Sequence, residues 1–584
     1  MINQSLFFNF HETFSPETES CYKTRLYTLM KIKSLLLSSS LLLTACSLAQ
    51  HIDSTFAING YLPYQGTNSN SQSNLGSANN VVVQPDGKMV VALGGDINNT
   101  SDLFMYTYRY LPNGMPDPTF GTNGVSKNFC GQNSEGYDIA LQSDGKIVFV
   151  GESKYCTNGV CGALQFVMMR LNPNGSLDST FGNNGHLLTN DVFGTSGMYS
   201  IPKSLHILPN GKFMVGGRGP SGKPAIVRLN SNGFPDNTYG TNGVFSLTNV
   251  PNTQYVDMVI GSNGEAYGLL FKSSWDQTTI SYDSANYSDN TLFKVTPNGT
   301  LDQSFGTNGI FTFNTDVTDQ PFSLALTSSG KLLVAGYNMS EHYYYSTMDF
   351  NGYGQANRGF VAFVNTNGTL DTSIPNGFKT FDFLEDSATF FNKIIERSPN
   401  EYLVCGFTTD FVGGNFQNKG LIVSITNQGQ LNTTFNNNGY MIFDHGMVGT
   451  SGWNGKLANF NDVDVLSGGK ILLSGFRNPV GGATKRSIYM LRLSGESSLG
   501  LNELSASGQD VIFYPNPVTD NRLTLENTEA VSVQIISIDG RVLYENASVQ
   551  GHTELIFESD YAGVAILKLQ TKDGKVATRK LIFE

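Results

Sequence analysis

A motif that recurs seven times constrains the fold of this chain more than any other feature. The clearest copy, at residues 174–185, reads Asn-Gly-Ser-Leu-Asp-Ser-Thr-Phe-Gly-Asn-Asn-Gly. Its acidic position recurs at Asp53, Asp117, Asp178, Asp236, Asp302, Asp371 and, as an amide, Asn432. Successive copies are 58 to 69 residues apart. A regular period of this length is typical of a chain built from repeated supersecondary units.

A second motif lies between the copies of the first and consists of an apolar strand, a tight turn and another apolar strand. Its first copy spans residues 81–91 and turns at Asp86-Gly87. The other six turns are Asp144-Gly145, Asn210-Gly211, Asn263-Gly264, Ser329-Gly330, Asn400-Glu401 and Gly468-Gly469. Asp-Gly or Asn-Gly between β-branched residues predicts a two-residue β-hairpin.

Each unit therefore supplies four predicted strands: one after the closing Asn-Gly, two in the hairpin, and one before the next motif, as at residues 166–171. Seven units of four antiparallel strands predict an all-β fold, a seven-bladed β-propeller over residues 51–495. A parallel β-helix would have a shorter period, and a string of independent sandwiches a longer one.

The motif residues have a predicted structural role at the turn between blades. The Asp carboxylate caps the N–H groups of the following Thr and Phe, and the aromatic ring fills the wedge between sheets. These pairs are Asp117 and Phe120, Asp178 and Phe181, Asp236 and Tyr239, and Asp302 and Phe305. The alternative is calcium binding, but calcium takes six to eight oxygens and each unit offers one carboxylate. The structural role is favoured.

These units resemble the delta-60 repeat, a β-propeller-type repeat. The match is specific at residues 170–185 and 294–309. It weakens where Ile374-Pro375 replaces Phe-Gly and where Asn400-Glu401 lacks the turn glycine. The resemblance implies propeller architecture and brings no catalytic residues.

The N-terminal region has the pattern of a secretory signal peptide. Lys31 and Lys33 precede a short leucine-rich run, followed by small residues. We expect residues 1–29 to be an upstream extension and residues 30–49 the signal peptide. Cleavage after Ala49 is favoured; the alternative is lipidation of Cys46 at a lipobox.

Four further cysteines are Cys130, Cys156, Cys161 and Cys405. The spacing of Cys156 and Cys161 predicts a disulfide across a short hairpin loop, with Cys130 at the same end of the sheet. A zinc site is the alternative, but no further ligand stands at the usual spacing. Cys405 lies in an apolar strand and is predicted to be a buried thiol.

The C-terminal region follows a polar linker at residues 496–510 and is predicted to be a small Ig-like β-sandwich over residues 511–584. Tyr514-Pro515-Asn516-Pro517, Asp539-Gly540-Arg541 and the closing residues 579–582 resemble the type A sorting domain of the type IX secretion system of Bacteroidetes. The resemblance implies recognition at the outer membrane and removal of the domain. The cargo is then released or attached to surface lipopolysaccharide. A carbohydrate-binding sandwich is the alternative.

Composition and motifs exclude several classes of function. A formal net charge of −12 disfavours nucleic acid, whose binding needs a basic surface. The sequence has no nucleophile elbow, zinc motif, phosphate-binding loop or dinucleotide fingerprint. We therefore predict no catalytic residue, metal or cofactor, although a propeller can gather active-site residues that are distant in sequence.

The remaining signal is a set of long insertions on the propeller face opposite the short Asn-Gly turns. Their candidate ligand-binding residues are Trp275, Tyr282, Tyr287, His342, Tyr343, Tyr344, Tyr345 and Tyr353. Such a composition suits contacts with a polysaccharide or a protein. The leading hypothesis is a secreted or cell-surface binding module. The alternatives are an extracellular hydrolase or lyase and a structural surface component. Carboxylates converging on the central channel would favour an enzyme, and an aromatic shelf on the long-loop face would favour binding.

Overall fold

The structure is a computed structural model in which the chain divides into two compact regions, Met1–Gly495 and Glu496–Glu584. It describes residues 52–58, 60–62, 74–75, 80–96, 104–128, 132–157, 160–193, 200–219, 222–248, 250, 253–273, 288–316, 318–339, 357–384, 387–412, 415–443, 458–477, 487–494, 512–514, 518, 522–528, 530–537, 541–546, 551–556, 563–571 and 576–583.

Strands of the first region fall into seven groups, called units 1 to 7, that follow the sequence repeat. Unit 1 contains β1 (Asn74–Leu75), β2 (Val81–Val83), β3 (Met89–Asp96), β4 (Phe104–Tyr110) and β5 (Val125–Asn128). Unit 2 contains β6 (Gln132–Leu141), β7 (Ile147–Thr157), β8 (Val160–Leu171) and β9 (His186–Leu188). Unit 3 contains β10 (Ile201–Ile207), β11 (Phe213–Arg218), β12 (Pro224–Leu229) and β13 (Val244–Ser246).

The same order continues in the later units. Unit 4 contains β14 (Thr253–Ile260), β15 (Ala266–Ser273), β16 (Ser288–Val295) and β17 (Ile310–Phe313). Unit 5 contains β18 (Thr318–Leu326), β19 (Lys331–Met339), β20 (Asn357–Asn365), β21 (Thr369–Leu370) and β22 (Phe378–Phe381). Unit 6 contains β23 (Thr389–Ser398), β24 (Glu401–Val412), β25 (Asn415–Thr426) and β26 (Tyr440–Phe443). Unit 7 contains β27 (Ala458–Val465), β28 (Ile471–Arg477) and β29 (Ser487–Leu493).

Within each unit all strand pairs are antiparallel, which confirms the all-β prediction. Units 4 and 5 form one sheet because Ser288 of β16 pairs in parallel with Thr318 of β18. Helix in the described ranges amounts to α1 (Thr189–Phe193) and the 3-10 turns Pro375–Gly377 and Ser467–Gly469.

The hairpin turns adopt the backbone that their sequence predicts. Gly145 has a φ of 80°, a left-handed conformation that costs glycine nothing. In unit 6 Asn400 occupies this position with a φ of 73°. Asparagine tolerates the left-handed region better than most residues, so the hairpin forms there without glycine.

Neighbouring units share apolar cores. Val148 and Phe181 of unit 2, for example, pack in one cluster with Phe213 and Val227 of unit 3. The first strand of each unit contacts the first strand of the next, and β27 of unit 7 contacts β2 of unit 1.

The N-terminal segment at residues 52–62 adds to the sheet of unit 7. Ile52 and Tyr61 pair with Leu493 and Leu491 of β29, and the Asp53 N–H donates to the Arg492 carbonyl at 2.8 Å. Phe56 and Leu62 lie in one core cluster with residues of units 1 and 7. The two ends of the repeat array are therefore in contact.

The second compact region contains two antiparallel sheets. One consists of β30 (Ile512–Tyr514), β31 (Arg522–Thr528) and β34 (Gly551–Ile556). The other consists of β32 (Ala530–Ser537), β33 (Val542–Asn546), β35 (Gly563–Thr571) and β36 (Val576–Phe583). Leu525 and Leu555 of the first sheet share a buried core with Ile535 and Leu567 of the second.

Candidate functional site

In units 1 to 3 the motif aspartate lies at the centre of a buried hydrogen-bond and ion-pair network. In unit 2, Asp178 Oδ1 accepts the Thr180 N–H at 3.1 Å and its hydroxyl at 2.6 Å. Asp178 Oδ2 accepts Arg170 Nε at 2.7 Å and lies 3.1 Å from Lys146 Nζ. Burial alone would raise the pKa of Asp178, but these bonds and charges hold it well below its usual range. Asp117 and Asp236 are bonded in the same way.

The motif arginine also connects one unit to the next. Arg170 lies over the Phe181 ring at 4.6 Å and donates to the Ser231 carbonyl of unit 3 at 2.7 Å. Arg109 and Arg228 lie over Phe120 and Tyr239 in the same manner. All three rings are buried, as is Phe305 beside Asp302. The network is occupied by protein groups, which suits a structural role.

Units 4, 5 and 6 depart from this pattern. In unit 4 Lys294 replaces the arginine, and its Nζ lies 3.1 Å from Asp302 Oδ2. In unit 5, Ile374 is buried at the aromatic position, and Lys331 Nζ pairs with Asp371 at 2.8 Å. In unit 6, Asn432 Nδ2 donates to Glu401 Oε1 at 3.2 Å. Glu401 stands at the position that Lys146 occupies in unit 2, so in unit 6 the acid lies at the turn and the amide at the motif position. Glu401 also pairs with Arg397 Nη1 at 3.1 Å.

A β-bulge occurs at one position in the first strand of units 2 to 7. In several units a glycine lies opposite the bulge. A Cβ atom on Gly406 would lie only 1.9 Å from the carbonyl oxygen of Phe390, and a Cβ atom on Gly336 would lie 2.2 Å from the carbonyl oxygen of Gln320. A larger residue would therefore clash with the bulged strand. The residues that end the bulge, with the equivalent residue of unit 1, form what we call the inner belt: Asn80, Asp138, Ser204, Asp257, Ser323, Lys393 and Asp462.

Hydrogen bonds at the inner belt connect each unit to the next. They are Asn80 Nδ2 to Asp138 Oδ1 (2.5 Å), Leu205 N to Asp138 Oδ2 (2.6 Å), Ser204 Oγ with Tyr255 OH (2.8 Å), Leu324 N to Asp257 Oδ2 (2.9 Å), Ile394 N to Ser323 Oγ (3.3 Å), Asn392 Nδ2 to Phe460 O (2.8 Å) and Val81 N to Asp462 Oδ2 (3.0 Å). The last bond joins unit 7 to unit 1, so the series returns to its start.

The inner belt contains three aspartates and one lysine, Lys393, so its formal charge is negative. Burial lowers the pKa of Lys393, but the charges of Asp257, Asp462, Asp138 and Asp464 outweigh burial and raise it. Burial raises the pKa of Asp462 to about 7 and that of Asp464 to about 6. His206 Nε2 lies 2.6 Å from the Met258 carbonyl oxygen. The belt thus places Asp462, whose carboxyl pKa is raised by burial, near Lys393, whose pKa is raised by the surrounding carboxylates.

A row of aromatic side chains flanks the inner belt in units 5 and 6. Phe322 is 41% exposed and its ring centroid lies 5.8 Å from that of Tyr337. Tyr337 contacts Phe390 edge-on at 4.7 Å, and Phe390 stacks on Phe407 at 4.5 Å. These four residues form the aromatic row. Tyr337, Phe390 and Phe407 lie in the halves of their strands farther from the hairpin turns, toward the long-loop end, and Phe322 lies at the middle of β18.

The insertion residues predicted to bind a ligand, from Trp275 to Tyr353, lie outside the described residues, as do Cys130 and residues 515–517. Tyr514 ends β30. Cys156 and Cys161 are cross-strand partners in the β7–β8 hairpin, and their disulfide stays a prediction. Cys405 is buried, and burial raises the pKa of its thiol well above the usual value.

Sequence reasoning missed both the inner belt and the aromatic row. Each belt residue stands seven positions before the turn glycine, or before Asn400 in unit 6. This fixed spacing could have identified the position, although the residue type varies among Asn, Asp, Ser and Lys. No comparable spacing marks the aromatic row, because its residues come from four strands. Over the described ranges, no group of three or more His, Cys, Asp or Glu residues could hold a metal ion.

The repeats and the C-terminal region define an exported repeat protein of the β-propeller class. Residues 84–120, 142–181 and 208–239 match the domain of unknown function (DUF5122) beta-propeller. Residues 512–584 match the secretion system C-terminal sorting domain. The chain therefore contains DUF5122 propeller repeats, which are delta-60-like, and a sorting domain of the type IX secretion system, as their resemblances predicted. That domain directs it to the cell surface or the medium. Among the described helices none is long and apolar enough to span a membrane.

Comparison with other proteins adds little on activity. No curated protein matches the sequence. Polysaccharide lyase Uly1 is 11% identical, with 77% of this chain and 96% of that chain covered and a TM-score of 0.42. The β-propeller domain of the Trilobed protease from Pyrococcus furiosus is 9% identical, with coverage of 76% and 100% and a TM-score of 0.35. An α-L-arabinanase from Penicillium chrysogenum complexed with arabinobiose is 9% identical, with coverage of 75% and 98% and a TM-score of 0.36. At these TM-scores the likenesses say nothing about what this chain binds or cleaves.

Proposed function

We propose that residues 51–495 form a closed seven-bladed propeller that binds a polysaccharide at its long-loop end after export. The ring of hydrogen bonds at the inner belt supports the blade count, because it visits every unit and returns through Val81 and Asp462. The pairing of residues 52–62 with β29 supplies the fourth strand of the last blade.

The observation that carries the binding proposal is the aromatic row. Aromatic faces stack on the apolar faces of sugar rings. The partly exposed side chains of the aromatic row lose little conformational entropy when they bind a ligand. Phe322 is exposed although it lies on the first strand of its unit, and Tyr337, Phe390 and Phe407 remain partly accessible beside it. A protein ligand with an apolar segment is the second candidate for this surface.

A glycan array probed with the exported protein tests the proposal. We expect binding to one class of polysaccharide, with the Phe390→Ala variant losing that signal. Binding to no glycan, or equal binding by the variant, would contradict it, and selective capture of peptides on a matched peptide array would favour the protein ligand.

A hydrolase or lyase is the second candidate function, and one observation favours it. Asp464, on the strand that carries Asp462, has a carboxyl pKa raised to about 6, a range suited to general acid catalysis. The Asp462 carboxylate itself accepts the backbone N–H groups of Val81 and Val463, which suits a structural role. Release of reducing sugar from polysaccharides by the wild type, abolished in Asp464→Asn, would establish the enzyme.

The domain boundaries and processing complete the proposal. Residues 30–49 act as the signal peptide, residues 496–510 form the linker, and the Ig-like sandwich at residues 511–584 is removed on export. The propeller is then released or attached to surface lipopolysaccharide, with Cys156 and Cys161 oxidised. The match of residues 512–584 to a sorting domain supports this order of events.

A further inference from the structure

A buried polar cluster lies between units 4 and 5, near the long-loop end of their strands. Its members are Asp319 of β18, Asn290 of β16, Asn338 of β19 and Thr315, which follows β17. Asp319 and Asn290 are 0% exposed and Asn338 is 1% exposed. Burial of this many polar groups needs compensation by hydrogen bonds or by a bound ion.

Hydrogen bonds within the cluster use only some of its polar atoms. Asp319 Oδ2 accepts the Asn290 side-chain amide and the Thr315 N–H, each at 2.7 Å. Asp319 Oδ1 accepts the Thr315 hydroxyl at 2.7 Å, and Asn338 Nδ2 donates to Thr315 Oγ1 at 2.7 Å. No lysine or arginine in the described ranges forms an ion pair with Asp319.

Two amide oxygens of the cluster remain without a partner. Asn290 Oδ1 and Asn338 Oδ1 are buried and accept no hydrogen bond. Asn290 is held through its own amide nitrogen against the Asp319 carboxylate, and Asn338 is the direct cross-strand partner of Asp319. Both oxygens are thus held beside a carboxylate that has no counter-charge, and an unsatisfied buried acceptor costs about 1–3 kcal/mol.

The propeller repeat does not require an amide or a carboxylate at these positions. The residue twelve positions before the motif acid is Asn290 in unit 4 but Phe166 in unit 2 and Gly420 in unit 6. Asp319 stands four positions before the belt residue, where units 3 and 6 have Ser200 and Thr389. The cluster is therefore specific to one boundary between units.

We propose that Asp319, Asn290 and Asn338 form a calcium site. Calcium is bound by carboxylate and amide oxygens and completes its six to eight ligands with waters. A cation there neutralises the Asp319 carboxylate and satisfies both amide oxygens. The single carboxylate suits the weak affinities, with Kd on the order of 0.1–1 mM, of extracellular calcium modules.

The test is calcium binding to the full chain after treatment with EDTA and desalting. We expect isothermal titration with calcium chloride to show a saturable site and the melting temperature to rise with calcium. Asp319→Ser, which places in unit 5 the residue that unit 3 has, should fold and lose both effects. Asp144→Asn, a charge removal at the exposed hairpin turn of unit 2 that leaves the Asn-Gly turn found in unit 3, is the matched control and should keep them.

Each outcome bears on the proposal. Absence of calcium binding by the wild type, or unchanged binding by Asp319→Ser, overturns it and leaves buried water as the partner of the two amide oxygens. If circular dichroism shows that Asp319→Ser is unfolded, Asn290→Ala replaces it under the same criteria. Loss of glycan binding by Phe390→Ala with calcium binding intact would separate this site from the proposed ligand surface.

Discussion

Arg492 Nε donates to Asp53 Oδ2 at 2.9 Å and so joins two residues that are 439 positions apart. In units 1 to 3 the same pair is made between residues eight positions apart. The N-terminal copy of the motif therefore serves the last unit. Burial alone would raise the pKa of Asp53, but the bonds from Lys470 and Thr55 and the charge of Arg492 lower it to about 2.

Breaking this pair should loosen the N-terminal segment. Arg492→Leu leaves Lys470 as the counter-charge of the Asp53 carboxylate, and loss of one hydrogen bond to a charged group costs about 1.5–3 kcal/mol. Hydrogen exchange should become faster at the Asp53 and Leu62 N–H groups, which bond to β29. Arg109→Leu breaks the equivalent pair inside unit 1 and is the control. Equal exchange at Asp53 and Leu62 in both variants would contradict closure through the N-terminal segment.

In unit 6 the contact between Asn432 and Glu401 predicts that substitutions at these two positions are coupled in their effect on stability. Asn432→Asp places a carboxylate beside Glu401 and should lower the free energy of unfolding by about 1–3 kcal/mol. The double variant Asn432→Asp, Glu401→Lys recreates the pair found in unit 5 and should recover part of the loss. Urea unfolding of both single variants and the double variant measures the coupling. Strictly additive effects would show that the two positions are independent.

Lys393 should make stability depend on pH. Because the pKa values of Asp462 and Asp464 are raised in the folded state, these two carboxyls bind more protons in the folded than in the unfolded chain from about pH 4 to pH 7. Their contribution to stability therefore falls as pH rises through this window. Lys393→Met removes the cation that opposes this effect, so its loss of stability should be larger at about pH 8 than at about pH 5. An equal loss at both pH values, measured by urea unfolding, would show that Lys393 does not interact with these carboxyls.

The sequence predicts the repeat well because its signals are local. Gly145 and the capped Asp178 each depend on residues within a few positions, and the structure places both in turns. The inner belt could not be predicted in the same way, since Asp138 and Leu205 meet only when two units pack together. The Asp53–Arg492 pair joins residues 439 positions apart, so no local pattern indicates it. The cluster at Asp319 depends on strands of two units, so no single stretch of sequence reveals it.

Export should require the C-terminal region. Deletion of residues 511–584 removes the sorting domain, whose described strands have an apolar core of their own. We expect the truncated protein to accumulate in the periplasm of a host with a type IX system, and cell fractionation with immunoblotting measures this. A truncated protein that reaches the surface would contradict the dependence on this domain.

The central claim, that the aromatic row binds a polysaccharide, is tested most directly by two matched phenylalanine substitutions. Phe322 in the row and Phe234 near an Asn-Gly turn are both 41% exposed. Titration of each alanine variant with the polysaccharide selected on the array measures its affinity, and so compares the aromatic row with the surface near an Asn-Gly turn. We predict that Phe322→Ala weakens binding by about tenfold, the loss of about 1.4 kcal/mol of stacking, while Phe234→Ala binds as the wild type does. Equal affinities for Phe322→Ala and the wild type would contradict the claim.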